Sequence, residues 1–411
     1  MKKKLYLITT DFPYGEGEAS FIMPELPYLK EFFDITIISN SLSKEIKNNL
    51  SSDIEVIHYE RRAALWRKVF DSICYFFNRD AYQEILEILR QREKIFGRIF
   101  ESILFFEESR RFRRFLLRNK IIDQRENIII YCYWYTYYCY TMTKLFQKNK
   151  NIKIVSRTHR YDLYDEGTCY GRQPFKRQME KRLDYLIFIS EHGRKYYSEK
   201  YAGGVISKKY QLFYLGVEGA RECNKKEKTG EFRIVSCSAV IQRKRVELIV
   251  DALSKITDFP IRWIHFGNGA EYKKLCQYAC SKLDKMLNIK YELRGYVPSD
   301  KIVEYYSQTY VDVFITTSES EGCPVSVQEA MSCGIPIIGT AVGEIPNMIS
   351  QNGIILSENP DAVETAAAIR KIYNMNEQSV QAMRRNSYYL WKEKFNSEIN
   401  SKKFAKFLGA L

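Results

Sequence analysis

Apolar runs along the chain predict two successive series of buried strands. In the first half, such runs lie at 4–10, 34–39, 128–135, 152–159 and 183–190. A second set lies at 232–240, 261–267, 289–297, 311–318 and 335–341. Between the runs, apolar residues recur three or four positions apart, as they do on one face of a helix. Strands that alternate with helices in this way predict an α/β fold with two doubly wound parallel sheets.

A polar, glycine-bearing stretch separates the two series. It covers 216–230, "GVEGARECNKKEKTG", and is predicted to be the interdomain linker. A length of 411 residues also exceeds what one ordinary hydrophobic core accommodates. We therefore predict an N-terminal domain over 1–218 and a C-terminal domain over 226–389.

Composition narrows the classes of partner. The formal net charge is +14, which favours anionic partners: nucleic acid, phosphorylated small molecules or an acidic membrane surface. No nucleic-acid-binding motif accompanies this charge, so no nucleic acid is expected. No apolar run reaches the roughly 18 residues of a membrane-spanning helix, and no signal peptide is recognised. Ten scattered cysteines without a disulfide or zinc spacing favour a reduced, cytoplasmic protein.

Half of the net charge falls in one helical stretch. Residues 61–120 hold fifteen Lys and Arg against eight Asp and Glu. Arg113, Arg114 and Arg118 lie among apolar residues, as on a helix at the surface of a membrane. Two interpretations stay open here: a peripheral contact with an anionic membrane, or a solvated helix pair that packs one apolar face on the core.

The segment "EGCPVSVQEAMSCGIP", 321–336, follows the predicted strand 311–318, at the strand end where open α/β sheets bind ligands. Pro324 suits the first position of a helix and Gly334 suits its end, so the helix is expected from about Pro324 to Cys333. Its free N–H groups near Cys323, Val325 and Ser326 would hold a phosphate or diphosphate.

Two glutamates flank this predicted phosphate site. Glu321 precedes the helix, and Glu329 lies five residues past Pro324, about 7.5 Å along the axis. That span suits one carboxylate near a sugar and another near a ribose, since a carboxylate accepts hydrogen bonds from adjacent hydroxyls. The alternative is a pair of solvent-facing acids around a buried helix.

The longer run "SESEGCPVSVQEAMSCGIPIIGTAVGEIPNMI" resembles the nucleotide-sugar site of family 4 glycosyltransferases. These are retaining enzymes with the GT-B fold, in which two Rossmann-like domains face each other across a cleft. The positions that match the family pattern are Glu321, Gly322, Pro324, Glu329, Ala330, Met331, Gly334 and Pro336. The resemblance implies that Glu321 contacts the donor sugar and that Glu329 contacts the ribose.

The flanking segments extend the resemblance through the second domain. Lys244 in "KRVELIVDAL" falls on the family's phosphate-binding lysine. The family's usual arginine, five residues earlier, is replaced by Ala239, and the adjacent Arg243 is a candidate substitute. The resemblance also places Gly267 in a turn at the donor, and backbone around Tyr296 and Val297 at the nucleobase.

The first domain shows two further points of resemblance. "GEGEASFIMPEL" is similar to a loop in which Gly15 and Gly17 let the backbone approach the donor phosphates. "SRTHRYDLYDE" is similar to a loop at the sugar, which implies that His159 and Asp162 contact donor or acceptor hydroxyls. The other three histidines, His58, His192 and His265, are interpreted as structural. A final helix over about 390–411 is expected to pack back on the first domain.

The resemblance implies a retaining hexosyltransferase that takes a UDP- or GDP-sugar. No Asp-x-Asp motif occurs, so no metal is expected, and no cofactor is expected either. Glu321, His159 and Asp162 are the candidate catalytic residues. The pattern is closest to bacterial capsule, exopolysaccharide and O-antigen transferases, which implies a glycan or polyprenyl-linked oligosaccharide acceptor. The runner-up is an inactive scaffold subunit of a membrane-associated glycosylation complex, supported by Ala239. A phosphorylase or epimerase of the same fold fits the Glu-Ala-Met pattern less well.

Overall fold

The structure is a computed structural model that describes residues 2–15, 17–41, 43, 45–48, 50–60, 64–122, 127–220 and 230–411. The chain forms two compact units. The N-terminal unit consists of Met1–Tyr214 together with Glu398–Leu411, and the C-terminal unit consists of Leu215–Ser397. Part of the predicted linker 216–230, and the predicted start of the second domain at 226, lie outside the described residues.

The N-terminal unit is built on a parallel sheet. Its described strands are β1 Lys3–Thr9, β2 Phe33–Ser39, β3 Glu55–His58, β4 Ile128–Cys132, β5 Ile152–Thr158, β6 Tyr185–Phe188 and β7 Tyr210–Leu212. Their order is β3-β2-β1-β4-β5-β6-β7, and all neighbouring strands run parallel. The central strands are almost continuously apolar because a parallel sheet is covered on both faces.

Helices cover both faces of this sheet, and each face has its own apolar core. The described helices are α1 Ala19–Ile22, α2 Leu26–Phe32, α3 Leu65–Tyr75, α4 Arg79–Gln91, α5 Ile95–Arg118, α6 Tyr137–Phe146, α7 Arg160–Leu163, α8 Lys176–Glu180 and α9 Glu191–Tyr201. The stretch "FIMPELPYLKEF" covers the end of α1 and all of α2, and Pro27 lies in the first turn of α2.

The C-terminal unit is also built on a parallel sheet with helices between its strands. Its described strands are β8 Phe232–Cys237, β9 Ile261–Phe266, β10 Ile289–Leu293, β11 Val313–Thr316, β12 Ile337–Thr340 and β13 Gly353–Leu356. The order is β10-β9-β8-β11-β12-β13, again parallel throughout. Its helices are α10 Val246–Leu253, α11 Tyr272–Leu283, α12 Ser299–Gln308, α13 Val325–Ser332, α14 Ile345–Met348, α15 Ala362–Tyr373 and α16 Glu377–Lys394. The predicted class, two Rossmann-like α/β units, is confirmed.

The last helix, α17 Ser397–Gly409, belongs to the N-terminal unit. Phe404, Ala405 and Leu408 are buried in the core that also contains β1 and β2. The guanidinium of Arg157 lies 4.3 Å from the centroid of the Phe404 ring. Arg157 also donates to Glu25 at 2.5 Å, and this pair is almost fully buried. The N-terminal unit is therefore assembled from both ends of the chain.

Three helices, α3, α4 and α5, form the basic region between β3 and β4. Phe112 and Leu116 of α5 are buried in the core, so this part of the helix follows the packed interpretation. Arg114, for which a membrane-facing and a packed position both stayed open, pairs with the buried Asp71 of α3. Among the described residues, no helix combines the length and apolar character needed to span a bilayer.

Candidate functional site

A cavity of about 480 Å³ opens in the C-terminal unit at the carboxyl ends of β8 and β9. Parallel α/β sheets bind ligands at this edge because the strand-to-helix loops gather there. The described residues that line the cavity are Cys237, Ser238, Ala239, Lys244, Phe266, Gly267, Asn268, Tyr296, Val297, Ser299, Ile302, Glu321, Pro324, Val325, Ser326 and Glu329. Nine of the predicted donor or catalytic residues are thus brought together: Lys244, Gly267, Tyr296, Val297, Glu321, Pro324, Val325, Ser326 and Glu329.

Lys244 and Glu321 form an ion pair in this cavity. The Lys244 Nζ donates to Glu321 Oε1 at 2.5 Å, and the carboxylate is only 9% exposed. Lys244 ends a short 3-10 turn, which is held in place from both sides. The Glu319 amide donates to the Arg243 carbonyl at 2.9 Å, and Arg245 Nε donates to the Thr317 carbonyl at 2.6 Å. The lysine is therefore fixed to the loop that follows β11.

The start of α13 forms a second part of the cavity wall. Pro324 is the N-cap residue, so the prediction that it occupies the first helical position was wrong by one residue. The first turn of a helix has N–H groups without intrahelical partners, and Val325 and Ser326 both line the cavity. At the other end, Gly334 has a φ of +69°, a left-handed conformation that glycine adopts without strain.

Two predicted donor-binding residues at this loop do not line the cavity. The Gly322 carbonyl accepts from the Glu344 amide at 2.9 Å, which ties the loop to the segment after β12. The Cys323 thiol lies 3.2 Å from the Gln328 amide nitrogen, which donates to it. Both residues shape the turn into α13, and their place at the donor stays a prediction.

Glu329 lies on the buried side of α13 and accepts a hydrogen bond from the Ser299 hydroxyl of α12. Burial raises the pKa of Glu329 to about 7, and the Ser299 hydrogen bond opposes that rise. The carboxyl group is therefore poised between its neutral and ionised forms near neutral pH, and a ligand that donates hydrogen bonds would favour the ionised form.

The turns after β9 and β10 place backbone beside the cavity. Gly267 has a φ of +143°, and a Cβ there would lie 1.8 Å from the Ser238 carbonyl oxygen. Its amide donates to the Gly295 carbonyl at 2.7 Å. Only glycine fits this close approach, and the turn leaves Tyr296 exposed at the cavity rim.

The basic side chains near the cavity differ from the family pattern. Ala239 lines the wall where the family has arginine, and Arg243 is not among the lining residues. Within the described lining, Lys244 is the one basic side chain. The predicted substitution by Arg243 therefore has no support from the geometry of this cavity.

The N-terminal unit holds the other predicted residues. His159 is the N-cap of α7, and Asp162 accepts from the His159 amide at 2.6 Å and from the Tyr135 amide at 2.7 Å. The His159 ring packs on Tyr133 and Trp134, with ring centroids 4.7 and 4.4 Å away, and both ring nitrogens are buried without a hydrogen-bond partner. Burial and the charge of Arg157 hold the pKa of His159 well below its usual value, so the ring is neutral.

A buried lysine that sequence reasoning missed lies near Asp162. Lys176 donates to the Tyr135 carbonyl at 2.6 Å, and its Nζ lies 4.2 Å from the centroid of the Tyr135 ring. Burial lowers the pKa of Lys176 to about 8 and raises the pKa of Asp162 to about 6, while the attraction between the two charges opposes both shifts. Nothing in "PFKRQMEKR" distinguishes this lysine from the solvated ones around it.

The glycine loop after β1 is organised by a carboxylate that the sequence analysis did not single out. Glu18 is buried and accepts from the amides of 10, 11 and 12 at 2.7–3.0 Å, and also from the Trp134 indole. A Cβ at Gly15 would lie 1.3 Å from Asp11 Oδ2, so a larger residue there would displace the Asp11 side chain. Gly17 has open space around it, so no contact explains that glycine.

No group of three or more His, Cys, Asp or Glu side chains is placed to hold a metal ion within the described part of the chain. The nine described cysteines are free thiols.

Comparison with known proteins assigns part of the chain to a family. Residues 221–389 match the family model for glycosyl transferases group 1. The putative colanic acid biosynthesis glycosyltransferase WcaL of Salmonella typhimurium is 22% identical over 272 residues, 62% of this chain and 64% of WcaL. The chain spans 26% to 64% of the length of the first curated relatives it matches.

Solved structures agree on the fold. The lipopolysaccharide outer core galactosyltransferase WaaB, in its apo form, superposes with a TM-score of 0.68 at 14% identity, over 99% of this chain and 100% of WaaB. Anabaena HepE in complex with UDP gives a TM-score of 0.63 at 13% identity, over the full length of both chains. The two units are those of the GT-B fold, and residues 221–389 are a glycosyl transferases group 1 domain. The family resemblance drawn from 321–336 and its flanking segments is confirmed for the fold and for the family of this domain.

Proposed function

We propose that the protein is a retaining glycosyltransferase that moves a hexosyl group from a nucleotide diphosphate sugar to a glycan or polyprenyl-linked acceptor. The observation that carries the proposal is the cavity of the C-terminal unit. Lys244, Glu321, Glu329 and the first turn of α13 all line it, within a glycosyl transferases group 1 domain. The relatives named for colanic acid and O-antigen synthesis support a role in bacterial surface polysaccharide assembly.

The proposed chemistry follows from where negative charge would develop. When the bond between sugar and diphosphate breaks, the leaving diphosphate gains charge. Lys244 and the N–H groups at the start of α13 would stabilise it, because both place hydrogen-bond donors in the cavity wall. Glu321 would then exchange part of its contact with Lys244 for the hydroxyls of the sugar. The absence of an Asp-x-Asp motif supports a reaction without a metal bridge.

The N-terminal unit would supply the remaining groups. The two free nitrogens of a neutral His159 ring support a role in hydrogen bonding to the sugar. Asp162 is already engaged by two backbone amides, which supports a positioning role for it: its carboxylate fixes the start of α7 and thereby the ring of His159. The carboxylate of Asp162 has further lone pairs that these two amides do not use. Contact between these lone pairs and the acceptor is also part of the proposal.

The donor is proposed to be a UDP- or GDP-sugar, and HepE, which was crystallised with UDP, supports a uridine nucleotide. The test is a thermal-shift panel of UDP-, GDP- and other nucleotide sugars, followed by a donor hydrolysis assay. We expect one nucleotide class to raise the melting temperature. If no nucleotide stabilises the protein, the enzyme proposal is wrong, and the scaffold alternative, supported by Ala239 in the cavity wall, takes its place.

Nucleotide-sugar affinity is expected to rise as the pH increases through about 7. The folded pKa of Glu329, about 7, lies above its ordinary value of 4.5, so the buried neutral form is favoured up to that pH. The stability that this group contributes is accordingly present below 4.5 and lost as the pH rises through 7. Ribose hydroxyls donate to the ionised form, so binding improves where that form predominates. Isothermal titration of the stabilising nucleotide sugar from pH 6 to 8 measures this.

The matched variant is Glu329→Gln, which fills the same volume and does not titrate. It should bind more weakly than wild type above about pH 7 and show a flat pH profile. A wild-type profile that is equally flat, or a variant that keeps the same slope, would contradict the assignment of Glu329 to the ribose.

The site of action is proposed to be the cytoplasmic side of the cell membrane, with peripheral attachment through 61–120. A polyprenyl-linked acceptor resides in a bilayer, and the excess of basic residues in this stretch would attract anionic headgroups.

A further inference from the structure

Helix α3 presents its apolar side to solvent. Its described exposed side chains Leu65, Trp66, Val69, Phe70 and Ile73 fall within an arc of about 140° on the helix. Trp66 is 65% exposed. The side that faces the protein carries Asp71 and Tyr75, both fully buried. In a helix on a globular surface the apolar side normally packs inward, and here the orientation is reversed.

Specific polar contacts fix this reversed orientation. Asp71 accepts from Arg110 Nε at 2.8 Å and from Arg114 Nη1 at 2.6 Å, both on α5. The Tyr75 hydroxyl bonds to the Ser102 hydroxyl at 2.7 Å. The two arginines hold the pKa of Asp71 below its usual value against the effect of burial. If α3 rotated to turn its apolar side inward, the aromatic residues would be buried but the ion pair of Asp71 would break. Breaking a buried ion pair is strongly unfavourable.

The exposed apolar surface continues beyond α3. The residues just after the helix, Phe76 and Phe77, are exposed, the second at 87%. On α5, Phe96, Phe100 and Leu104 are four positions apart, so they share one side of the helix, and all three are exposed. Helices α3 and α5 pack against each other, and exposed apolar residues on both mark a surface that another apolar phase covers.

An arginine-lined cavity lies beside the N-terminal half of α3. It has a volume of about 190 Å³ and is lined by Tyr59, Glu60, Arg67, Arg111, Arg114, Phe115, Arg118 and Asn119. Arg111 pairs with Glu107 and Arg114 pairs with Asp71. Within the described residues, Arg67 and Arg118 make no ion pair, so their charge is available to a ligand. Arginine suits phosphate because its guanidinium donates two parallel hydrogen bonds.

Arg67 joins the two features, because it lines the cavity and lies next to Trp66, with its guanidinium 5.0 Å from the indole centroid. We propose that this surface docks on an anionic phospholipid bilayer, with the apolar side of α3 in the interface and a lipid phosphate in the arginine cavity. The proposal rests on the membrane attachment proposed above and adds its orientation and headgroup site. A second copy of the chain suits the surface less well, since pairing would bring two arginine cavities together.

The experiment is co-sedimentation of the full-length protein with vesicles of phosphatidylglycerol and phosphatidylcholine, against vesicles of phosphatidylcholine alone. We expect salt-sensitive binding to the anionic vesicles only. A Trp66→Ser/Phe70→Ser double variant should weaken binding about tenfold or more, and Arg118→Glu about fivefold or more. The matched controls Leu287→Ser and Lys285→Glu, exposed positions of the C-terminal unit, should bind like wild type.

The proposal would be overturned by no binding to either vesicle, by equal binding of all variants, or by a dimer in sedimentation velocity that the double variant makes monomeric without any vesicle binding. A thermal-shift response to inorganic phosphate that Arg118→Glu abolishes, without vesicle binding, would assign the cavity to a soluble phosphate and would also overturn it. Nucleotide binding is measured in the same preparations without vesicles, so failure of the docking proposal is separable from failure of the proposed transferase activity.

Discussion

Replacing Lys244 with methionine is expected to reduce kcat for sugar transfer by about a hundredfold to a thousandfold. The lysine is the one basic side chain among the described residues of the cavity wall, so no second cation there compensates for its loss. Methionine keeps the length and apolar stem of the side chain, which limits the change to the ammonium group. Steady-state kinetics with the nucleotide sugar selected by the thermal-shift panel measures the effect.

Two further variants make this result specific. Lys273→Met removes an exposed lysine near the start of α11 and should leave kcat unchanged. Lys244→Met also leaves Glu321 without its partner, so the double variant Lys244→Met/Glu321→Gln removes that unpaired charge. If the double variant regains wild-type kcat, Lys244 serves only to neutralise Glu321 and does not stabilise the leaving diphosphate.

The second large effect is expected at His159. His159→Phe keeps an aromatic ring against Tyr133 and Trp134 but removes both free ring nitrogens. We expect kcat to fall about a hundredfold, because hydrogen bonds to the sugar that strengthen in the transition state are lost. Nucleotide affinity should change little, since the cavity proposed to hold the nucleotide belongs to the C-terminal unit.

The comparison variant is His58→Ala, at the end of the edge strand β3, where the ring contacts the Ser41 carbonyl. This variant should have the same kcat as wild type. Wild-type kcat in His159→Phe would show that the ring nitrogens do not act in the reaction. A parallel loss of nucleotide binding and melting temperature would instead indicate a structural role.

All central strands were predictable from sequence, whereas three of the four described edge strands were not; the fourth, β10, was predicted. The ten strands predicted from apolar runs all exist, whereas β3, β7 and β13 were missed. These three lie at the edges of their sheets, and most of their side chains are partly exposed. A strand covered on one side only carries a weaker apolar signal, so the pattern alone does not separate it from a loop.

The parts of the candidate site that lie close together in the sequence were predictable. Glu321, Glu329 and the start of α13 lie within nine residues, and their spacing follows from helix geometry. Ser299 bonds to Glu329 across 30 positions, and Trp134 bonds to Glu18 across 116. No spacing rule connects such pairs, because the contact depends on how separate strands and helices pack.

Amphipathic periodicity predicted helices within 61–120 and left open whether their apolar side faces the core or a membrane; helix α3 lies in this stretch. The pattern separates an apolar side from a polar side, and the usual expectation turns the apolar side inward. Here the buried Asp71 pairs with two arginines, 39 and 43 positions away, and these contacts turn the apolar side outward. Such a long-range ion pair is invisible to a local pattern.

The return of α17 to the N-terminal unit has a consequence for the order of events during synthesis. Phe404, Ala405 and Leu408 complete a core that begins with Leu5 and Leu7, so roughly four hundred residues separate the contributions to one hydrophobic cluster. The C-terminal unit, Leu215–Ser397, is continuous and can finish folding first. The N-terminal unit, although translated first, has a gap in its core until residue 408 has emerged from the ribosome. A fragment ending at Tyr214 would leave that gap permanently open and expose Phe213 and Tyr131 to water.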